Sequence, residues 1–313
     1  MSNKPALCRT PACTAPPHKI SDVLRSLWRT CSAGAGDSEV ARSLAINFVG
    51  VAAAADEAEL RDALDRLQRR TPCRAFLLLV GGEAEVEAEV TATTLTHGAT
   101  QDIVLEEIAI RLPESGFDAM PGLVRPLLVN DLPNHLFWGA SWPRTERHFD
   151  DLAQLCEHVV IDSRRLQTPA HQLDLLAERR RNGQRLTDIN WLRLRPWRRA
   201  LAEAFERIPW RAGAQTAGKI SYGKKGLAGA MLLAAWLETK LGATIQLDAS
   251  GASQSLCPER VELRIDGHEV QLEAPGTHIL AHVTTPEHCY LPFKVPTSRG
   301  CDGDLLAAAI DIG

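Results

Sequence analysis

The stretch SLAINFVGV (43–51), followed by DEAELRDALDRLQRR (56–70) and RAFLLLV (74–80), decides the fold. The first run is short, apolar and largely unalternating, as expected of a strand covered on both faces. In the second, Leu60, Ala63, Leu64 and Leu67 recur at helical spacing, and Asp56 with Glu59 resembles a capping pair. The third is a second buried strand. A β-α-β unit within one sheet is normally parallel with a right-handed crossover, which sets the class as α/β.

Working outward, Gly81 and Gly82 turn the chain into EVEAEVTATTL (85–95) and DIVLEEIAIRL (102–112). Both have strand composition with partial alternation, so antiparallel additions are expected, giving a mixed, partly parallel sheet with flanking helices. LVRPLLVNDLP (123–133), HLFWGA (135–140), a helix over 145–155 and EHVVIDS (157–163) make another strand-helix-strand passage, with LLVN read as a strand. Upstream, Val23, Leu24, Leu27 and Trp28 form the apolar stripe of a helix that Ser21 would cap.

The resulting organisation is a flexible tail over 1–19, an α/β domain over 20–165 and a smaller α+β C-terminal domain over 166–313. In the latter a helix over 168–181 precedes a tryptophan- and arginine-rich block. A Gly/Ala-rich loop then runs to Lys224, before a helix over 224–241 that is apolar nearly all round. ATIQL (243–247), RVELRID (260–266), HEVQLEA (268–274) and HILAHVT (278–284) read as strands, with Asp266 and Gly267 as a hairpin turn. A short helix over 304–310 follows.

With 313 residues, 45% of them apolar, the chain can bury two ordinary cores, and disorder is not the general answer. A net charge of −4 gives no whole-chain bias toward nucleic acid, although arginines cluster between 179 and 199. The longest apolar run, Gly226 to Leu237, is too short to span a bilayer, and the first residues hold no apolar run of signal-peptide length. The expectation is a soluble cytoplasmic protein with no membrane and no nucleic-acid partner. Eight cysteines without a CxxC pair argue against a zinc ribbon and a secreted disulfide framework. Cys8 with Cys13, and Cys289 with Cys301, are the pairs close enough in sequence for a reversible disulfide.

The most distinctive segment is LTDINWLRLRPWRRALAEAF (186–205). An extended chain here would send Trp191, Arg193 and Arg195 to one face and the intervening leucines to the other. Pro196 then fits the first turn of a helix whose core stripe would be Leu201, Ala204, Phe205 and Ile208. Arg and Trp are enriched where interface energy concentrates, so Trp191, Arg193, Arg195, Trp197, Arg198 and Arg199 are candidate partner-binding residues. The competing reading places the tryptophans in the core and leaves the arginines solvated.

No catalytic, cofactor or metal site is expected. GKISYGKK (218–225) matches a phosphate-loop spacing before a helix, but Lys225 stands where a metal-binding hydroxyl is needed, and no convincing buried strand leads into it. A flexible connector, or a weak anion site at Lys219, Lys224 and Lys225, fits better. His278, His282 and His288 lack enough further ligands for a metal. Asp162, Ser163 and Arg164 lie at a strand end where α/β folds often place ligand sites, yet Ser163 lacks a nucleophile elbow. Asp131 and Pro133 read as turn chemistry, and Trp138 and Trp142 as core.

Taken together, ARSLAINFVGV, TPCRAFLLLV, IVLEEIAI, RPLLVNDLPNHLFWG, HVVIDSRR, DINWLRLRPWRRALAEAF and MLLAAWLETKLG resemble, in order, the glucose-6-phosphate dehydrogenase assembly proteins (OpcA) over roughly residues 41–242. The resemblance implies a non-catalytic partner of glucose-6-phosphate dehydrogenase that promotes its active oligomer or activates it allosterically. Asp131, Pro133, Asp162, Ser163, Trp191, Arg193, Pro196, Trp197 and Arg198 match the family pattern, as structural or binding positions. Phe137 and Trp138 stand where the family often has two tryptophans. No thiol motif of the family aligns with Cys289 or Cys301. The alternative is a nucleotide- or sugar-phosphate-binding α/β enzyme.

Overall fold

The structure is a computed structural model that describes residues 7–34, 39–41, 43–81, 86–97, 101–211, 213–250, 254–255, 257–297 and 302–312. In chain order it begins with β1 (Leu7–Arg9), β2 (Cys13–Ala15), α1 (Ile20–Gly34), β3 (Glu39–Ala41), β4 (Ile46–Ala53), α2 (Glu57–Gln68) and β5 (Cys73–Val80). There follow β6 (Glu87–His97), β7 (Gln101–Leu112), α3 (Met120–Val124), β8 (Asn134–Trp138), α4 (Glu146–Ala153) and β9 (His158–Ile161). The chain continues with α5 (Pro169–Arg181), β10 (Arg185–Asp188), α6 (Ile189–Arg193), α7 (Arg195–Phe205), β11 (Thr216–Tyr222) and α8 (Leu227–Leu241). Its remaining elements are β12 (Thr244–Ala249), β13 (Pro258–Ile265), β14 (His268–Glu273), β15 (His278–Thr284), β16 (Phe293–Pro296) and α9 (Asp302–Ile312).

Two compact units emerge, the first from Met1–Ile161, Arg179–Thr187 and Asp302–Gly313, the second from Asp162–Glu178 and Asp188–Cys301. In the first, a ten-stranded sheet has the order β1-β6-β7-β5-β4-β8-β9-β10, with β2 also on β6 and β3 on β7. β4 runs parallel to β5 and β8, and β5 to β7, while β6 is antiparallel to β7. The fold is therefore α/β with a mixed, partly parallel sheet. β4 and β5 are buried nearly throughout, which explains their unalternating sequences. α2 buries Leu60, Ala63, Leu64 and Leu67 as its spacing predicts. It rides so close to the sheet that a Cβ at Gly50 would lie 3.1 Å from Leu60. α9 packs on α2 in the same unit.

Two local expectations change in this unit. The stretch expected as a loose tail contributes β1 and β2, both paired antiparallel to β6. The Arg9 guanidinium reaches the buried Glu107 carboxylate at 2.7 Å, so a charge inside the sheet edge is matched by one from this stretch. LLVN is not a strand: Arg125–Leu127 is a 3-10 turn, and the strand starts only at Asn134, after the Asp-Leu-Pro turn.

In the second unit a six-stranded sheet runs β12-β11-β13-β14-β15-β16, all antiparallel neighbours except the parallel β11–β12 pair. Its inner face carries Ile220, Val261, Leu263, Val270, Leu272, Ile279 and Ala281, packed in one core with Leu201 and Ala204 of α7 and Leu233 and Leu237 of α8. Asp266 and Gly267 both have positive φ, 45° and 85°, as the predicted two-residue hairpin requires. The stretch read as a Gly/Ala-rich loop contains β11 instead. Its alternation of small and polar residues (Thr-Ala-Gly-Lys) hides a strand whose inner face is dominated by the backbone at Gly218. A Cβ there would lie 2.4 Å from Leu263 and 2.7 Å from the Glu262 carbonyl.

Candidate functional site

The residues singled out at the VIDSRR and DINWLR segments meet in one buried polar network of the second unit. Asp162 follows β9 in the chain and caps a 3-10 turn over Ser163–Arg165 by accepting from the Arg164 backbone N–H at 3.2 Å. Asp188 caps α6 in the same manner, accepting from the Asn190 N–H at 2.9 Å. The two turns are then stitched together. Ser163 N–H donates to Asp188 Oδ1 at 3.2 Å, and Asn190 Nδ2 donates to Ser163 Oγ at 3.0 Å. Arg193 lays its fork on Asp162, Nη1 to Oδ1 at 3.0 Å and Nη2 to Oδ2 at 3.2 Å, with Arg164 Nε on the same carboxylate at 2.8 Å.

The electrostatics divide the two aspartates. Burial raises the Asp162 carboxyl, but the hydrogen bond from Arg164 and the charges of Arg193 and Arg164 outweigh it and hold the group below the usual carboxylate range. Among the described residues Asp188 has no such cation. Burial comes first, the neighbouring Asp162 charge adds to it, and the carboxyl is pushed up to about 6 against the hydrogen bonds from Ser163 and Asn190. Among the described residues, Asp188 Oδ2 and Asn190 Oδ1 are buried without a hydrogen-bond partner. Ser163 is thus a hydrogen-bonding residue of a capped turn, with its Oγ engaged by Asn190. Asp188 and Asn190 were not singled out from sequence. The detectable signal was the aspartate two residues before an asparagine at a helix start.

The tryptophan and arginine block is helical, not extended, since α6 and α7 together span Ile189–Phe205. Backbone capping by Asp188 and Pro196 in the first turn of α7 override the alternation of Trp191, Arg193 and Arg195. Trp197 is 2% exposed and sits in the core with Leu194, Leu201 and Ile208, while Arg193 is 8% exposed on Asp162. Trp191 is half-buried and carries the Arg198 guanidinium 3.7 Å above its ring centre. Arg198 also donates to the Trp191 carbonyl at 3.3 Å. Arg195 and Arg199 are exposed.

The Asp-Leu-Pro positions belong to the first unit. Asp131 has φ 68°, the left-handed conformation that a turn tolerates in Asp, and it is exposed. Asn47 braces this turn: its N–H donates to the Pro133 carbonyl at 2.9 Å, and its side chain bonds Val129 in both directions, at 2.9 and 3.1 Å. Trp138, 2% exposed, lies at the carboxyl end of β8, where the sheet order reverses between β5 and β8 around β4. In doubly wound sheets that crevice is the place for a nucleotide, cradled by a glycine-rich turn after the first strand. Here that turn reads AAAADE (52–57), and Trp138 packs edge-on to Phe149 at 5.4 Å, with Trp142 on the same ring at 4.7 Å.

At the opposite, amino ends of β8 and β9, two buried histidines join, His135 Nδ1 to His158 Nδ1 at 3.2 Å and His158 Nε2 to Thr187 Oγ1 at 3.0 Å. Burial, then the charge of His135, drives His158 down to about 4, so His158 is neutral at neutral pH, and burial lowers His135 as well. In GKISYGKK, residues 218–222 are strand, hydrogen-bonded to β12 on one side and β13 on the other, which leaves no loop to wrap a phosphate. Lys219 pairs with Asp248 at 2.8 Å. Among the described residues no group of three or more His, Cys, Asp or Glu could hold a metal ion, and no helix is long and apolar enough to cross a membrane. Cys301 lies outside the described residues, as does the side chain of Cys8.

What the fold and the site define is a two-sheet α/β protein whose most distinctive polar residues are bonded to one another. Residues 64–178 match a family model described as the glucose-6-phosphate dehydrogenase subunit N-terminal domain, and residues 184–311 match its C-terminal domain. The chain belongs to the OpcA family of glucose-6-phosphate dehydrogenase assembly proteins. It is 30% identical over 183 residues to an OxPP cycle protein OpcA of Nostoc punctiforme, covering 56% of this chain and 39% of that one. To the OpcA of a Synechocystis strain it is 26% identical over 218 residues, 68% of this chain and 44% of the relative. The chain thus spans less than half the length of these relatives. Among solved structures, the 3-ketoreductase KijD10 of Actinomadura kijaniata, with NADP and TDP-benzene, overlays at a TM-score of 0.49 and 13% identity, over 85% of this chain and 88% of that one.

Proposed function

We propose that the chain is a non-catalytic activator and assembly factor that binds glucose-6-phosphate dehydrogenase and promotes its active oligomeric state, acting in the cytoplasm and without a cofactor. The observation that carries this is the pair of family models, both described as domains of a glucose-6-phosphate dehydrogenase subunit, which together run from residue 64 to residue 311. The internal chemistry supports it. Asp162 is committed to Arg193 and Ser163 Oγ to Asn190, and the sheet's reversal point is furnished with aromatic rings. An activator of this kind has only differential affinity to work with. It must bind the assembled or active enzyme better than the inactive one, and the ratio of the two affinities sets the shift.

Within the candidate binding set, Arg195 and Arg199 stand outward, and they are four apart on α7, hence on one side of the helix. These two arginines, with the Arg198–Trp191 stack beside them, are the part of the block offered to an acidic patch of the enzyme. Mixing the purified chain with the dehydrogenase of the same cell should raise its activity and shift its oligomer size. Unchanged activity, substrate affinity and size would end the proposal. Arg195→Glu with Arg199→Glu should weaken co-purification at least tenfold while the chain stays folded.

A further inference from the structure

The six-stranded sheet of the second unit has a polar outer face. Side chains alternate across a sheet, so Lys219 of β11, Arg260, Glu262 and Arg264 of β13, and Glu269 and Glu273 of β14 share the face turned away from α7 and α8. They form an interleaved pattern of opposite charges: Lys219–Asp248 at 2.8 Å, Arg260–Glu262 at 2.8 Å, Arg260–Glu273 at 3.1 Å and Arg264–Glu269 at 3.4 Å. The side chains remain open to solvent, from 36% for Glu262 to 83% for Arg264. Between them the twisted sheet leaves a shallow hollow of about 350 Å³, floored by the backbone of β11, β13 and β14 and bordered by Gln246 and Gln271.

We infer that this face is the contact between two copies of the chain, laid sheet face on sheet face about a two-fold axis. An isologous contact places a patch on its own copy, so the patch must complement itself. A face of one sign would repel its copy, whereas here each cation has a carboxylate neighbour within 3.4 Å that can be exchanged for the copy's carboxylate across the axis. Gln246 and Gln271 add amides that both donate and accept, so they also pair with themselves. The same balance gives no excess charge with which to steer a strongly acidic or basic partner. Size agrees as well. Six strands spaced at about 4.8 Å and averaging about 6 residues give a plan area near 600 Å² before side-chain relief is added, against about 800 Å² per partner in a standard interface.

Sedimentation velocity of the whole chain, at concentrations well above micromolar, should show twice the chain mass of 34.2 kDa. Glu262→Lys with Glu269→Lys makes the face basic, and Lys219→Glu with Arg264→Glu makes it acidic. Each double variant should sediment at the monomer mass with an unchanged circular dichroism spectrum, its self-association weakened at least a hundredfold. Mixed together, the two variants should associate again. A wild-type chain that stays at 34.2 kDa, or either double variant that still dimerises, would overturn the inference. Neither outcome depends on whether the dehydrogenase is bound. If one double variant fails to fold, the other still gives the monomer reading.

Discussion

Asp188→Asn should make the protein more stable at neutral and alkaline pH, although it alters a helix cap. The carboxyl sits at about 6 in the folded chain, against an ordinary value of 3.8, because it is buried beside the Asp162 charge. A group whose folded value is raised contributes stability that is complete below the unfolded value and is lost as pH rises through the folded one. For 3.8 and about 6, the full loss is about 3 kcal/mol, of which a little under half, about 1 kcal/mol, falls between pH 5 and pH 8. Asparagine keeps an oxygen to accept from the Asn190 and Ser163 N–H groups and places a donor where Asp188 Oδ2 has no partner. Urea unfolding followed by tryptophan fluorescence should therefore show the stability of the variant over wild type growing by about 1 kcal/mol between pH 5 and pH 8. Taking the difference cancels every other titration. Parallel curves for the two proteins, or a variant that is the weaker at pH 8, would refute the account of Asp188 as a buried carboxyl short of a donor.

Three other perturbations follow from the same structure. Arg193→Met removes a bidentate, buried partner of Asp162 but leaves Arg164 in place, so it should cost about 3 kcal/mol and lower Tm by roughly 6–12 °C, with Arg193→Lys intermediate because a lysine has no fork. His158, held down at about 4 against an unfolded 6.5, gives stability that is present above 6.5 and lost as pH falls toward 4, up to about 3 kcal/mol; urea titrations should show this loss in wild type and not in His158→Gln. Gly303→Val should cost about 1–3 kcal/mol and raise hydrogen exchange in α9, because a Cβ there would lie 2.9 Å from the Ala63 backbone of α2.

The parts of the fold that were legible in the sequence are those where periodicity and burial agree. β4, α2 and β5 announce themselves because two fully covered strands flank a helix with one apolar stripe, and β15 was bounded correctly because His278–Thr284 alternates cleanly. β11 was missed because its inward positions are Thr216, Gly218 and Ile220, so a glycine stands where the apolar signal should be. α6 was missed for a different reason: five residues are too few to show a helical period, and its start depends on a side chain, Asp188, accepting from the backbone. Of the site, Asp162, Ser163 and Arg193 were each singled out, but their bonds, Asp162 to Arg193 and Ser163 to Asn190, join residues about thirty positions apart. Nothing in spacing reports that, since the two capped turns are brought together only by folding of the second unit.

That contact bears on how the Trp/Arg block can serve a partner. Arg193 and Trp197, which look like the best hot-spot candidates by type, are the two most committed inward, one to a buried carboxylate and the other to the core. Their effect is on what lies between and beyond them. Arg193 ties the end of α6 to the Asp162 turn, Pro196 fixes the first turn of α7, and Trp197 anchors that turn in the core, so Arg195 and Arg199 project from a helix with little freedom left. Long cationic side chains normally lose about 0.5–1.5 kcal/mol of rotamer freedom each on binding, and a rigid backbone beneath them removes further loss that a loop would incur. A binding surface of this kind would show its two halves in different assays. Changes at Arg193 or Trp197 should lower stability and binding together, whereas changes at Arg195 or Arg199 should lower binding alone. The separation of those two effects, residue by residue along α7, is what distinguishes a surface held out by its own scaffold from a block that is merely core.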